Sequence, residues 1–587
     1  MDNYEKENNA YLIRLEESKR QHVQTLKVNN LYIHSKYSPL DEAKKIVESS
    51  YKKNHLHILF GFGLGYISHE LLTKFSDTDS LLIIEPNHEL LKTSLQYMDN
   101  AQILKDKNVQ ICVGEDLNNL KYQLNSFFSE YMGRFTFINT PNYPKLYPEF
   151  YKLVLETAKE QLMMEIINNN TRHLFSEQWQ ENYISNLYEA FHAHNFSNLT
   201  GKLTCPVIVA SGGPSLTKQL PLLKGLKNKA LIICAGSTIN SLLRENIEPD
   251  LVVSVDGGIP NYNHFKNLQI DSIPLVYPLI VHKGIPKGHK GKHIIFNISD
   301  HTLINKWTNK LLSQEVGLVQ TGHSVANFSL DIAYQLTSGP ICLIGQDLAY
   351  TNNQTHAEGN QGFSIIDKAK ENQRKMFRVE GYYGEEVLTD YVFLGMKNSF
   401  ENHLAKIRET DLARKIINST EGGIKMEGFS QMPFNEFIET FCSNDCSKEI
   451  GALIPAKKMG DCKKFHKEII TLLEKYEEVI KLADKSIDIL NGVKRNNYMF
   501  NKKFNKELEK AEDKLKILLE NEFIYYILRP VMFKVQHSFL EELNETEEET
   551  NRRIYEKSLL LYKGIKGAAE QGITWIRELN GRIEQNL

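Results

Sequence analysis

The sequence predicts an α/β protein: two Rossmann-like parallel-sheet domains followed by an all-helical C-terminal domain. Short, almost continuously apolar runs alternate with helix-length segments from His55 to Pro141 and again from Cys205 onward, the pattern of parallel strands joined by crossover helices. The first apolar run of each series ends in a glycine-rich turn. Beyond Pro433 the strand signal disappears and apolar residues recur at helical steps.

Taken in order, residues 1–50 read as polar and helical. HLHILF from His55, LLIIEPN at Leu81–Asn87, VQICVGED at Val109–Asp116 and RFTFINTP at Arg134–Pro141 read as the strands of a first sheet. Residues 149–200 read as long bridging helices. The second series comprises PVIVASGGPSL, ALIICAGS, DLVVSVDGG, PLVYPLIVH, HIIFNI and PICLIGQD. Such near-continuous apolarity is what strands buried on both faces require. The series closes near Lys415–Gly428. Phe465, Ile469, Leu472, Tyr476 and Val479, then Phe504, Leu508, Ala511, Leu515 and Leu518, mark amphipathic helices. EELNETEEET (Glu541–Thr550) reads as an acidic loop or helix start. The expected domains are residues 1–165, 166–432 and 433–587.

Composition narrows the class. Of 587 residues, 41% are hydrophobic and 24% charged, which fits a folded protein rather than a disordered one. The net charge of −3 leaves no basic excess to hold a nucleic acid. No apolar run is long enough to cross a bilayer, and the polar MDNYEKENNAY start is no secretory signal. We therefore expect a cytoplasmic protein with no nucleic-acid partner and no membrane insertion. The seven cysteines (Cys112, Cys205, Cys234, Cys342, Cys442, Cys446 and Cys462) are odd in number, which favours free thiols. Cys442, Cys446 and Cys462 could be metal ligands, but no histidine pair stands at finger spacing.

The first glycine turn carries Gly61, Gly63 and Gly65, with Glu85 ending the next strand 24 residues after Gly61. This is near the spacing of dinucleotide and methyltransferase folds, where the acid binds a ribose. The plainer reading, a tight turn without a ligand, is preferred. Asn139-Thr140-Pro141 lacks the signature of base methylation.

The second turn, Ser211-Gly212-Gly213-Pro214-Ser215, is the stronger candidate. Its glycines permit close backbone approach, Ser215 can cap the next helix, and free amides at a helix start attract a phosphate. It lacks a P-loop lysine, so an ATP grip of the kinase kind is disfavoured. Ser237 and Asn240 follow the next strand, Asp256 ends LVVSV, and Asp347 ends ICLIG with Tyr350 just after. In a parallel sheet these strand ends line one crevice. Ser324 of Thr321-Gly322-His323-Ser324 looks like a second helix cap. His356 and Glu358 lie in the polar loop after Asp347, where a general base is plausible.

Together SGGPSL, DLVVSVDGG, TGHSVANFSLDIAYQL, LIGQDLAYTNNQTHAEG and NSTEGGIKMEG resemble the Maf (motility-associated factor) flagellin glycosyltransferases. The resemblance covers about residues 170–430, and the flanking domains suit the family's layout. It implies transfer of a nonulosonic acid, of pseudaminic or legionaminic type, from its CMP-activated form to serine or threonine of flagellin. The central segment is also similar to bacterial sialyltransferases that use CMP-sialic acid. Their glycine–asparagine–glycine–proline–serine turn matches Ser211–Ser215, with Gly212 in place of the asparagine. Their later motifs resemble Thr321-Gly322-His323, Gly345–Tyr350 and Asn418-Ser419. Their catalytic histidine lies farther downstream than His356.

The resemblance thus implies donor binding by Ser211, Gly212, Gly213, Ser215, Ser237, Asp256, Thr321, Ser324, Asn418 and Ser419. Ser215, Thr321, Ser324 and Tyr350 would stabilise the departing phosphate. His356, or failing it Asp347 or Glu358, would take the acceptor's proton. A phosphate leaving group makes a metal dispensable, and Asp256 is followed by glycines rather than forming a D-x-D pair of the metal-dependent nucleotide-sugar type, though a magnesium ion stays open. The same segment also resembles archaeal enzymes that transfer diphosphate from ATP to a hydroxymethylpterin. A flagellin-binding scaffold without turnover is the non-enzymatic alternative. Oligomeric state is not legible.

Overall fold

The computed structural model describes residues 11–20, 22–97, 100–455, 461–536, 538–541 and 545–585. The chain forms two compact units, one of Met1–Asn170 with Leu540–Glu547, the other of Thr171–Phe539 with Glu548–Leu587.

The first unit is built on a parallel sheet in the order Val109–Val113, Ser80–Glu85, Leu56–Phe60, Phe135–Asn139. All four runs read from the sequence are strands of it. The stretch before them is not wholly helical. Ile13–Glu17, Gln24–Val28 and Leu31–Tyr32 form an antiparallel sheet, and only Pro39–Ser50 is a helix. Buried Leu26 and Val28 alternate on one face, and Asn29 turns the chain with a positive φ of 53°. That short period is hidden among charged residues, which is why composition alone suggested a polar helix. The first ten residues, with most of MDNYEKENNAY, lie outside the described residues.

The second unit holds a nine-stranded sheet. Its order is Ser430–Gln431, Ile416–Asn418, Ile341–Ile344, Val207–Ala210, Leu231–Ala235, Leu251–Val253, Leu275–Tyr277, His293–Ile295, His194–Asn195. Every pairing is parallel. PLVYPLIVH supplies only Leu275–Tyr277, since Pro278 cannot donate to a ladder. HIIFNI is split, with Asn297–Ile298 leaving to pair with Leu318–Val319. A hairpin of Phe377–Glu380 and Glu386–Thr389 and a helix at Tyr391–Thr410 add to what the sequence pattern suggested.

Helices Cys462–Arg495, Lys502–Leu519, Glu522–Gln536 and Glu547–Glu584 make up the C-terminal helical part. Their apolar faces join the same core as the nine-stranded sheet. Trp307 meets Phe523 at 4.3 Å between ring centroids and Phe191 meets Phe465 at 4.7 Å. Of the acidic segment Glu541–Thr550, residues 542–544 lie outside the described residues, and the helix begins at Glu547.

Candidate active site

An open parallel sheet binds ligands at the carboxyl ends of its strands, where the strand order turns back on itself. Here that point lies between Val207–Ala210 and Ile341–Ile344, because later strands are added to either side of this pair. The next residues are Ser211 on one strand and Gly345 on the other. Gly345 has a φ of +62°, and a Cβ there would stand 2.2 Å from the Ser211 carbonyl oxygen, so only glycine fits.

Asp347 holds this junction together. Only 1% exposed, it accepts from the Ser215 amide at 3.1 Å, the Ser215 hydroxyl at 2.6 Å and the Thr351 hydroxyl at 2.7 Å. Burial pushes its carboxyl above the usual range, and these bonds pull it back. The expectation that the Ser215 side chain caps helix Leu216–Leu223 is not met. Its hydroxyl is turned instead toward the buried Asp347 carboxylate, to which it donates a charge-assisted bond. Asp347 does the capping, so the helix-start amide expected to attract a phosphate already serves the chain's own anion. Gly423, with φ +75°, closes the other side: a Cβ would lie 2.1 Å from the Asp347 carbonyl oxygen.

The open side of the turn is at Gly212. A Cβ there would lie 3.1 Å from Asn360 Nδ2, 3.2 Å from Thr238 Oγ1 and 3.7 Å from His356 Cδ2. The Ala357 amide donates to the Gly212 carbonyl at 2.9 Å, which docks the polar loop over the turn. Asn360 Nδ2 donates to the Ser237 hydroxyl at 3.2 Å. His356 Nδ1 lies 3.1 Å from the Gly362 carbonyl, so Nδ1 carries the proton. Nε2 is then a bare acceptor, and among the described residues nothing bonds it. Burial, chiefly, holds the imidazole below its ordinary 6.5, leaving it neutral near neutral pH.

The other expected residues have distinct surroundings. Asp256 is solvent-exposed, yet the protein around it desolvates its carboxyl enough to push it above the ordinary 3.8. Among the described residues its carboxylate has no hydrogen-bond partner. Beside it, a Cβ on Gly257 would lie 2.7 Å from Trp179 Cδ1. Ser324 caps helix Val325–Leu336 reciprocally with Asn327, as the sequence suggested. Val325 packs against Gly236, which brings that helix start beside Ser237. The Thr321 amide donates to the Ser299 hydroxyl at 3.0 Å. The Ser211 hydroxyl is buried against Gln346 Oε1 at 2.6 Å. Asn418 and Ser419 are fully buried behind Gln346 rather than on the open side. Glu358 is exposed, and its amide donates to the Thr217 hydroxyl at 3.1 Å. The Tyr350 hydroxyl donates to Asp390 at 2.7 Å and accepts from Arg374 at 2.7 Å.

Three residues here escaped the sequence reading: Thr238, Asn360 and Arg374. Asn360 lay inside the polar loop and could have been included with it. Arg374 follows a short helix far from any motif, and only the fold returns it to Tyr350. Among the described residues no group of three or more His, Cys, Asp or Glu could hold a metal ion.

The first glycine turn is filled by its own unit. Cβ atoms on Gly61, Gly63 and Gly65 would meet the Tyr143 ring, His34 and Asn100, each within 2.5 Å. Glu85 is fully buried and accepts from Tyr143 at 2.7 Å and from the Phe62 and Asn87 amides at 2.9 and 3.0 Å. The glycines here admit side chains rather than a pyrophosphate.

Residues 1–171 match the model of the glycosyltransferase Maf N-terminal domain. Residues 181–353 match that of the MptE-like 6-hydroxymethylpterin diphosphokinases. The fold is similar to the structure of MAf glycosyltransferase from Magnetospirillum magneticum AMB-1, with a TM-score of 0.56 at 13% identity, over 97% of this chain and 93% of that one. The N-terminal part is thus similar to the Maf N-terminal domain, and the fold of the chain is similar to that of a Maf glycosyltransferase. No curated protein matches. The MptE-like segment takes in Ser211–Ser215, Asp256 and Asp347 but stops short of His356 and Asn360. Among the described residues no helix is long and apolar enough to cross a membrane.

Proposed function

We propose that the crevice transfers a nonulosonic acid, of pseudaminic or legionaminic type, from its CMP-activated donor to serine or threonine hydroxyls of flagellin, in the service of flagellar glycosylation and motility. The observation that supports this most is His356: a neutral imidazole, its Nδ1–H tied to Gly362, with Nε2 bare on the Gly212 side of the turn. A base needs that state to take a proton as the new bond forms. The acceptor oxygen attacks the anomeric carbon and passes its proton to Nε2. The bond from that carbon to the phosphate oxygen breaks, and CMP leaves with the electron pair. The sugar passes through oxocarbenium character, as in glycoside hydrolysis.

Thr238, Ser237 and Asn360 stand where they can hold the donor, while Asp256 is free to accept from a sugar or acceptor hydroxyl. Ser215 and Asp347 serve by shaping the turn. The work of stabilising the leaving phosphate shifts from Ser215 to groups on the open side. No step calls for a metal, so chelating divalent ions is expected to leave CMP release in place.

Incubation with a CMP-nonulosonic acid should release CMP, faster with unmodified flagellin. His356→Ala should lower that rate by about 10²–10⁴-fold, the usual contribution of a general base. Full activity in this variant would remove the base assignment. The MptE-like match favours one second reading, diphosphate transfer from ATP to a pterin. Consumption of ATP with a hydroxymethylpterin, and none of a CMP-sugar, would establish it. Flagellin binding without turnover of either donor would leave only a scaffold.

A further inference from the structure

Arg374 is held in an unusual way for an exposed arginine. Its Nη1 donates to the Tyr350 hydroxyl at 2.7 Å, and that hydroxyl donates onward to Asp390 at 2.7 Å. Tyr350 and Asp390 are 3% and 4% exposed. Asp390 is itself fixed, accepting from the Val392 and Phe393 amides at 3.0 Å as the cap of helix Tyr391–Thr410. One corner of the guanidinium is therefore anchored on a rigid, buried base.

The rest of it is not engaged. The side chain is 57% exposed, and among the described residues Nε and Nη2 have no hydrogen-bond partner. The carboxylate of Asp390 lies 3.7 Å from Nη1 and is already shared with Tyr350 and two amides. Anchoring costs an arginine conformational freedom, and an exposed ion pair returns little for it. A guanidinium fork held at one corner and open at the other is suited to an anion, which it grips with paired N–H groups. The positive charge also reaches His356, helping to hold that imidazole down. Lys218, whose charge acts on Asp347, donates to the Glu421 carbonyl.

We infer that Arg374 is the receptor for the donor's anionic group, its phosphate or its sugar carboxylate, and that Tyr350 is a positioning residue that aims it. This rests on the sugar-transfer reading above. Full-length wild-type, Arg374→Met and Arg374→Lys proteins should be titrated calorimetrically with CMP and with the intact CMP-nonulosonic donor. Arg374→Met is expected to weaken binding by about 10- to 100-fold, the worth of hydrogen bonds to a charged group. Arg374→Lys should recover part of it. Loss with CMP itself assigns the fork to the phosphate. Loss with the intact donor alone assigns it to the carboxylate.

A second readout is the pH profile of kcat. His264 and Arg374 are the charged groups that act on His356. Removing the cation should move the acid limb to higher pH, which a merely structural loss would not do. Tyr350→Phe keeps the cation but cuts its anchor, and should lose less affinity than Arg374→Met. Wild-type affinity for both ligands in Arg374→Met would overturn the assignment while leaving sugar transfer standing. No binding of either ligand by the wild-type protein would overturn both.

Discussion

Asp347 and His356 lie on the same stretch after one strand, yet burial assigns them opposite duties. Asp347 has both carboxylate oxygens engaged by the Ser215 amide and hydroxyl and the Thr351 hydroxyl. Asp347→Asn should therefore act on stability: its amide would face the Ser215 N–H, donor against donor. The expected cost is about 1–3 kcal/mol, read as a lower urea midpoint with unchanged slope. His356 keeps one nitrogen open, and its pKa is held below 6.5. A base of lowered pKa stays unprotonated to lower pH. The acid limb of kcat should accordingly fall below 6.5 in the wild-type enzyme, and a limb well above that value would show that another group is the base.

At the scale of the element, the turn Ser211–Ser215 divides into a packed half and an open half. On Gly213 a Cβ would stand 2.2 Å from Asp347 Oδ2 and 2.5 Å from the Gly345 carbonyl oxygen, neither of which can yield. Gly213→Ala should destabilise the second unit by about 1–3 kcal/mol or more, seen as a lower melting temperature. On Gly212 the neighbours at 3.1 and 3.2 Å are the ends of Asn360 and Thr238, which can shift. Gly212→Ala should melt near the wild-type temperature but bind donor poorly. Equal effects from the two substitutions would mean that the turn has no open side. The first turn is glycine-rich too but has the opposite content, because Tyr143, His34 and Asn100 occupy it.

At the scale of the molecule, the nine-stranded sheet shares one core with the C-terminal helices. Phe523 is fully buried and meets Trp307, Tyr183 and Tyr476. Phe523→Ala should cost about 3–5 kcal/mol, and lost melting cooperativity of the sheet would be its signature. In the first unit the buried Glu85 carboxyl is pushed up to about 7 from an ordinary 4.5. The folded protein thus keeps a proton that the unfolded chain has released, so this group's contribution to stability is lost as pH rises from about 4.5 to 7. His34, held down to about 3, acts in the other direction, adding stability as pH rises toward 6.5. The two slopes oppose each other, so the total is a poor test. The melting temperature of Glu85→Gln relative to wild type should climb across pH 5 to 7.5, and a flat difference would mean that Glu85 is ionised throughout.

Most strands of both sheets were legible because a strand buried on both faces must be apolar without interruption, and that constraint is local. The helix cap at Ser324 was legible for the same reason, since a helix start is satisfied by residues close in the chain. The N-terminal hairpin was missed where a two-residue period is short and crowded with charge. The division of labour in the crevice was beyond the sequence: whether Asp347 is a base or a cap, and whether a glycine turn is hollow or full, depends on which distant side chain fills the space. Arg374 shows this most clearly, for nothing around it in the chain marks it, and only a folded path through Tyr350 and Asp390 sets its charge near His356.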